Sequence, residues 1–226
     1  MDMLSIVISL FVLLFAITIH EASHAWSALK MGDPTAYGAG RVSLNPLAHI
    51  DPIGTVILPL VLVLTHAPVV GWAKPVPVNP YNLRHPRRDN LWISLAGPAA
   101  NLTAALSAII LIRILRALAP GITTFLQGFI LLRQPFPRGF YPLEGLALIL
   151  FKVAEINTLL AVFNLIPVPP LDGSGILSGL LSDRGAAVYD RIRPYGFIIV
   201  LAFVLLGFLD LVFLPILLFV KVLVFF

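Results

Sequence analysis

The stretch TIHEASHAW, residues 18–26, places two histidines and a glutamate close together in an otherwise apolar run. His20 and His24 are four residues apart, so on a helix they share one face, with Cβ atoms about 5–6 Å apart. That spacing allows two imidazoles to bind one tetrahedral zinc ion through bonds of about 2.0–2.1 Å. Glu21 lies beside the pair and can take a proton from a water molecule that the metal has made acidic. The HExxH pattern therefore predicts a zinc site with Glu21 as general base.

The composition predicts that this motif lies in a lipid bilayer. The 226 residues are 59% hydrophobic and 12% charged, whereas a soluble domain carries about 25% charged residues. A net charge of +4 then reports membrane orientation, and no nucleic-acid partner is expected. Ionisable side chains inside a membrane are costly and usually functional, which favours a metal site over a solvated polar patch. The chain has no cysteine, so a zinc finger and a thiol nucleophile are excluded.

Apolar runs predict the helices that position the motif. A spanning helix needs about 20 apolar residues, and such helices are expected at 3–29, 91–118 and 143–166, with a last membrane segment at 195–224. Residues 121–132 are too short to span, and 175–181 predict a short helix. We therefore expect an all-α polytopic membrane protein, a helical bundle forming a single transmembrane domain over 1–226 with its core at about 3–175.

The segment 53–71 is apolar but contains Pro59 and Pro68, so it either spans the membrane or is re-entrant. The Gly- and Pro-rich segment 30–52 before it predicts a loop with short strands near the cytoplasmic side. If 53–71 is re-entrant, nine of the fifteen Lys and Arg residues lie on one side, which the positive-inside rule makes cytoplasmic. If it spans, this bias largely vanishes. The nine are Lys30, Arg41, Lys74, Arg84, Arg87, Arg88, Arg184, Arg191 and Arg193. The charge pattern favours the re-entrant topology.

A hydrolytic zinc site needs a third protein ligand and one open position. In the re-entrant topology the first and third long helices run in the same direction, so His20, His24 and Asp172 reach a similar depth near the cytoplasmic side. Asp172 is therefore the best candidate, and His49 is the reserve candidate. Five other residues have simpler interpretations. Glu155 is expected to form a helical ion pair with Lys152, and Asp51 to be a turn or cap residue. Asp210 is expected at the membrane interface, and His66 and His85 in loops.

Two motifs together resemble one known family. HEASH in the first helix with NLIPVPPLDG (164–173) resembles the site-2 protease family of intramembrane zinc metalloproteases. Three further stretches are similar to its prokaryotic members: GRVSLNPLAHIDPIGT (40–55), GWAKPVPVNP (71–80) and AGPAAN (96–101). The resemblance implies one zinc ion per chain held by His20, His24 and Asp172, with Glu21 as general base. It also implies that Asn164 faces the scissile carbonyl, where an amide donor can stabilise an oxyanion.

The function implied is hydrolysis of a peptide bond in or near the transmembrane helix of a membrane-protein substrate, in the cell membrane of a prokaryote. Many relatives carry a PDZ domain, but nothing between 30 and 90 is long enough for one. The segment GWAKPVPVNP is either an added strand for an unwound substrate or a plain surface loop.

The alternative functions are a non-proteolytic metal-binding or transport protein with the same ligands, and a zinc protease with a glutamate as third ligand. The absence of internal repeats counts against a transporter. The oligomeric state stays open.

Overall fold

The computed structural model describes residues 3–58, 61, 71–132 and 141–226. The helices in chain order are α1 (Met3–Met31), α2 (Thr35–Gly38), α3 (Pro86–Leu118), α4 (Gly121–Leu126), α5 (Pro142–Leu165), α6 (Asp172–Leu180), α7 (Asp183–Asp190), α8 (Gly196–Leu205) and α9 (Phe208–Phe225). Four of these helices, α1, α3, α5 and α9, are long and apolar enough to cross a membrane. This confirms the prediction of a helical integral membrane protein.

Helix α3 lies at the centre of the bundle and packs against α1, α5 and α6. The largest buried apolar cluster joins α3, α4, α5 and α9 through side chains such as Ile112, Leu126, Phe151 and Val220. A smaller cluster joins α1 to α5 through Val12 and Leu148. Helices α1, α5 and α6 therefore pack against α3. The outer faces of the bundle carry exposed apolar side chains suited to lipid.

Two arginines fix the relative direction of α3 and α9. Arg113 donates hydrogen bonds to the carbonyls of Leu223 and Phe226, and Arg116 donates to the carbonyl of Val224. The last carbonyls of a helix have no partner within the helix, so these bonds satisfy groups that would otherwise be exposed to the bilayer. The C-terminal ends of α3 and α9 consequently lie together, at the end of the bundle opposite to the start of α6.

Two helix boundaries differ from the expectation. Helix α3 begins at Pro86 and not at residue 91, because its first turn is polar and carries no apolar signal. Proline suits a first helical position, and the Asp89 carboxylate accepts the N–H of His85 at 2.8 Å. The last segment, 195–224, is divided into α8 and α9 at Gly207, whose φ of +70° is a conformation that favours glycine.

The prediction of short strands near the cytoplasmic side is wrong, since the described residues contain no strand. The segment 71–79 has no regular secondary structure and is held by isolated bonds, among them the Lys74 N–H to the carbonyl of His49 at 3.0 Å. Proline has no N–H to donate to a strand ladder, and Pro75 and Pro77 interrupt this segment.

The two ends of the segment 53–71 lie side by side. The N–H of Trp72 bonds to the carbonyl of Gly54 at 3.2 Å, and the Thr55 hydroxyl donates to the carbonyl of Trp72 at 2.8 Å. Residues 59–60 and 62–70, on which the prediction of a re-entrant path depends, lie outside the described residues. A single crossing would separate the two ends by about 30 Å, the thickness of the hydrocarbon core.

Candidate metal centre

Three side chains from two helices meet at one point. The Nε2 atoms of His20 and His24 on α1 are 3.0 Å apart. Asp172, the first residue of α6, places its Oδ2 atom 3.0 Å from the first and 3.2 Å from the second. Both imidazoles are buried. The structure thus brings together the three residues that the sequence nominated, as a group able to hold a metal ion.

The hydrogen bonds around this group fit a bound cation. The Nδ1 atom of His20 lies 2.6 Å from the Asn101 Oδ1, and that of His24 lies 2.6 Å from the carbonyl of Ile93. Carbonyl oxygens only accept, so each Nδ1 carries the hydrogen and each neutral imidazole presents a lone pair at Nε2. The Oδ2 atom of Asp172 accordingly has no hydrogen-bond partner, although two nitrogens lie close to it. Three electron pairs converge with no proton between them, as the ligands of a tetrahedral zinc ion would.

Asp172 is the anionic member of this donor set. Its Oδ2 faces two neutral imidazole nitrogens and no proton donor, so its charge is available to a cation.

Glycines bring α6 close enough to place this carboxylate. Helix α6 begins at Asp172, three residues before the predicted start at 175. A Cβ atom at Gly173 would overlap the carbonyls of Leu165 and Ile166 at the end of α5, and one at Gly175 would overlap the Ser94 hydroxyl on α3. These close approaches need glycine, and they fix the first turn of α6 against both neighbouring helices.

Helix α3 also approaches the metal site through a glycine. A Cβ atom added at Gly97 would overlap the imidazole of His24 and would lie 2.7 Å from Nε2 of His20. The backbone at Gly97 thus forms one wall of the space that the metal would occupy.

Replacing Gly97 with alanine is expected to weaken zinc binding by about 10- to 100-fold, the range caused by disturbing groups next to metal ligands. The added methyl group must displace one of the two imidazoles or move α3. Competition with a chromophoric chelator measures the zinc dissociation constant. Gly121→Ala is the matched control, because a Cβ atom there meets nothing within 4 Å. Unchanged zinc affinity in Gly97→Ala would contradict the position of the metal between α1 and α3.

Glu21 lies beside this cluster and is half-buried. It is within electrostatic reach of His24 and of Arg41. The Arg41 side chain is buried and donates to the carbonyl of Lys74, while its Nε has no hydrogen-bond partner. Burial lowers the pKa of Arg41, and the negative charge of Glu21 opposes that shift. The two charges therefore partly compensate each other beside the metal site.

Asn164 lies at the end of α5 that adjoins Asp172, but its side chain does not join the cluster. Its Nδ2 donates to the carbonyl of Leu160 at 2.9 Å, within its own helix. One amide hydrogen is thus used locally, and a role toward substrate stays a prediction.

The other polar candidates lie apart from the cluster. The Nε2 of buried His49 lies 2.8 Å from the carbonyl of Ser43. Asp51 accepts the N–H groups of Ile53 and Gly54, which confirms it as a cap residue. Four other candidates remain. Glu155 is confirmed in an ion pair of 2.6 Å with Lys152, and Asp210 is exposed in the first turn of α9. His85 precedes α3, and His66 lies outside the described residues.

Sequence reasoning missed three residues around the metal site: Gly97, Asn101 and Asn157. Gly97 and Asn101 are four apart, hence on one face of α3, and both belong to the AGPAAN stretch that was noted only as a family resemblance. Asn157 is a buried amide within an apolar helix, which is itself a signal of function.

The membrane helices and the His–His–Asp cluster together indicate a class of protein, a membrane protein with a metal-binding centre. The sequence profile of peptidase family M50 matches residues 8–207. "Putative zinc metalloprotease YwhC" of Bacillus subtilis (strain 168) is 34% identical over 197 residues, which cover 84% of this chain and 76% of that protein. "Putative zinc metalloprotease Rip2" of Mycolicibacterium smegmatis (strain ATCC 700084 / mc(2)155) is 28% identical over 188 residues, or 83% of this chain and 62% of that protein. No solved structure matches the chain.

The chain belongs to peptidase family M50, the site-2 protease family. It is a zinc metalloprotease, and zinc is its cofactor. This membership decides against the alternative of a non-proteolytic metal-binding or transport protein. Among the described parts of residues 30–90 there are only short helical turns and extended segments besides the ends of α1 and α3, and no PDZ domain.

Proposed function

We propose that this protein is an intramembrane protease that hydrolyses a peptide bond in or near the transmembrane helix of another membrane protein. His20, His24 and Asp172 would hold one zinc ion per chain. The observation that carries the proposal is the convergence of three unprotonated donor atoms at α1, a helix long and apolar enough to span the bilayer. The single domain over 1–226 would serve this one site.

When bound, zinc supplies a Lewis acid that makes water acidic near neutral pH and polarises a carbonyl group. Glu21 accepts the proton of the attacking water and delivers it to the amine that leaves when the C–N bond breaks. Arg41 lies within electrostatic reach of Glu21 on this side of the site. The free amide hydrogen of Asn164 is the group that would donate to the carbonyl oxygen as negative charge develops there.

The scissile segment of a substrate must unwind before water can attack, because a helix hides its carbonyls in hydrogen bonds. An apolar cleft of about 380 Å³ lies between Ile19 and Trp26 on α1 and the irregular segment at Val42 and Leu44, and none of the three metal ligands lines it. Whether GWAKPVPVNP adds a strand to such a substrate stays a prediction.

The membrane orientation also belongs to this proposal. We place the metal site toward the cytoplasmic side of a prokaryotic cell membrane, because nine of the fifteen basic residues belong to segments on that side. The hydrogen bonds that join Gly54 to Trp72 support a re-entrant course for 53–71, since both ends then lie at the same membrane surface. The relatives named above are bacterial proteins, which supports the assignment to a prokaryotic membrane.

Metal removal tests the proposal. The purified protein would be reconstituted with a single-pass transmembrane peptide that carries a helix-breaking Gly-Pro pair at mid-membrane, and with a matched peptide that carries Ala-Leu there. Cleavage of the first peptide is expected to stop after chelation and to return with stoichiometric zinc, with the cut mapped by mass spectrometry. Zinc binding without cleavage of either peptide would contradict a general intramembrane protease. Cleavage that survives zinc removal would contradict the metal mechanism.

A further inference from the structure

A chain of amide side chains runs from α5 through α3 to His20. The two amides, Asn101 on α3 and Asn157 on α5, are both 0% exposed. Buried amides are costly in a membrane bundle unless each donor and acceptor is paired. Here every polar atom of Asn101 is paired, and its partners come from α1 and α5. Such an arrangement joins three spanning helices at the level of a metal ligand.

Two backbone carbonyls set the direction of this chain. The Asn157 Nδ2 donates to the carbonyl of Val153 at 2.9 Å, so its Oδ1 faces Asn101. The Asn101 Nδ2 donates to that Oδ1 at 2.8 Å and to the carbonyl of Ala16 at 3.0 Å. Because carbonyls cannot donate, the amides cannot be reversed without losing bonds. The Oδ1 of Asn101 must therefore face His20 as an acceptor, at 2.6 Å from Nδ1.

We propose that Asn101, held by Asn157, is a positioning residue that fixes His20 as the Nδ1–H tautomer and directs its Nε2 lone pair toward the metal. The inference rests on the proposed metal site and assigns a role to two residues outside the ligand set. His24 needs no such device, because its Nδ1 bonds directly to the backbone carbonyl of Ile93. The amide pair acts on one ligand alone.

The tautomer matters because a competing arrangement lies close by. Without an acceptor at Nδ1, His20 would carry its hydrogen on Nε2, 3.0 Å from the Oδ2 of Asp172. That N–H would then donate to the carboxylate. His20 and Asp172 would be hydrogen-bonded to each other, and neither atom would be free to bind the metal. Asn101 prevents this by offering the hydrogen a better-placed acceptor on the opposite side of the ring.

The test compares Asn101→Leu with Asn101→Asp. Leucine has a similar size and removes the acceptor, so we expect zinc affinity to fall by about 10- to 100-fold, the usual effect of losing a partner of a metal ligand. Aspartate loses the donor bonds to Ala16 and Asn157, but both of its oxygens accept, so it needs no bond to Asn157 to present an acceptor to Nδ1. Zinc affinity should therefore stay near that of the wild type. A role limited to joining the three helices predicts the reverse, since aspartate adds an unpaired buried charge.

A second readout does not require metal. ¹⁵N NMR of the zinc-free, histidine-labelled protein reports which ring nitrogen carries the hydrogen. We expect the Nδ1–H form of His20 in the wild type and in Asn101→Asp, and the Nε2–H form in Asn101→Leu. Thr158→Val on α5 is the control, because its hydroxyl bonds only to the carbonyl of Ala154, and it should change neither readout.

The outcomes separate the two proposals. A wild type that binds no zinc contradicts the proposed function. A wild type that binds zinc, with Asn101→Leu unchanged in affinity and tautomer, overturns this inference alone, as would equal losses in Asn101→Leu and Asn101→Asp. If Asn101→Leu does not fold, Asn101→Asp and Asn157→Leu decide. Zinc affinity that is retained in Asn101→Asp and weakened in Asn157→Leu supports the role of the amide pair. Any other combination of these two results overturns it.

Discussion

Replacing Asp172 with alanine is expected to reduce bound zinc from about one ion per chain to almost none. Asp172 is the only anionic member of the His–His–Asp group found among the described residues, and its Oδ2 is the atom that both imidazoles face. Without it two neutral imidazoles remain, which cannot complete a tetrahedral zinc site. The loss should exceed the roughly 100-fold upper range for removal of a group that only supports a ligand. Metal analysis of protein purified in detergent measures it.

The control for Asp172→Ala is Asp183→Ala. Asp183 begins the next helix, is fully exposed and pairs with Arg87, so its loss should leave the zinc content unchanged. Zinc retained at wild-type stoichiometry in Asp172→Ala would show that another group, such as a glutamate, is the third ligand. Zinc lost in both variants would point to a general effect on folding of the α6–α7 region.

Replacing Glu21 with glutamine should leave zinc in place and slow peptide hydrolysis by about 10²–10⁴-fold, the usual contribution of general acid–base catalysis. Glutamine keeps the size of the side chain but cannot take a proton from water. Glu21 lies beside the ligand cluster and outside it, so metal binding should survive. The rate is measured with the helix-broken peptide described above, and zinc content is measured on the same sample.

Glu144→Gln is the control for this variant. Glu144 caps the start of α5, at the end of the helix remote from Asp172, through a bond from the N–H of Tyr141. It should keep full activity. Loss of zinc from Glu21→Gln would show that Glu21 is a ligand, and full activity in that variant would show that another group is the base.

The order of these effects follows from how the site is built. The ligands are held from outside by bonds to the distal imidazole nitrogens and by glycines that bring α3 and α6 close. Disturbing the supporting groups Gly97 or Asn101 should therefore weaken zinc binding by a limited factor. Removal of Asp172 removes a ligand, and removal of Glu21 removes the chemical step while the site stays intact.

The positions of the first two ligands follow from the sequence alone. His20 and His24 share a helix face because helical periodicity is a local property of the chain. The four spanning helices follow from apolar length, which the bilayer thickness converts into a structural requirement. Asp172 could be nominated because charge bias predicts which helix ends share a side. These three arguments need no knowledge of how the helices pack.

The tertiary structure alone decided which side chains support those ligands. The His20–Asn101 and Asn101–Asn157 bonds join residues 81 and 56 positions apart, and such contacts depend on the depth and rotation of each helix. The roles of Gly97 and Gly173 likewise depend on close approach between helices, which a sequence pattern does not specify. Only the tertiary structure shows what holds the segment 71–79, which among the described residues forms isolated bonds such as Lys74 to His49 and no strand ladder. The prolines in it explain why a ladder is disfavoured, and that much is already visible in the sequence.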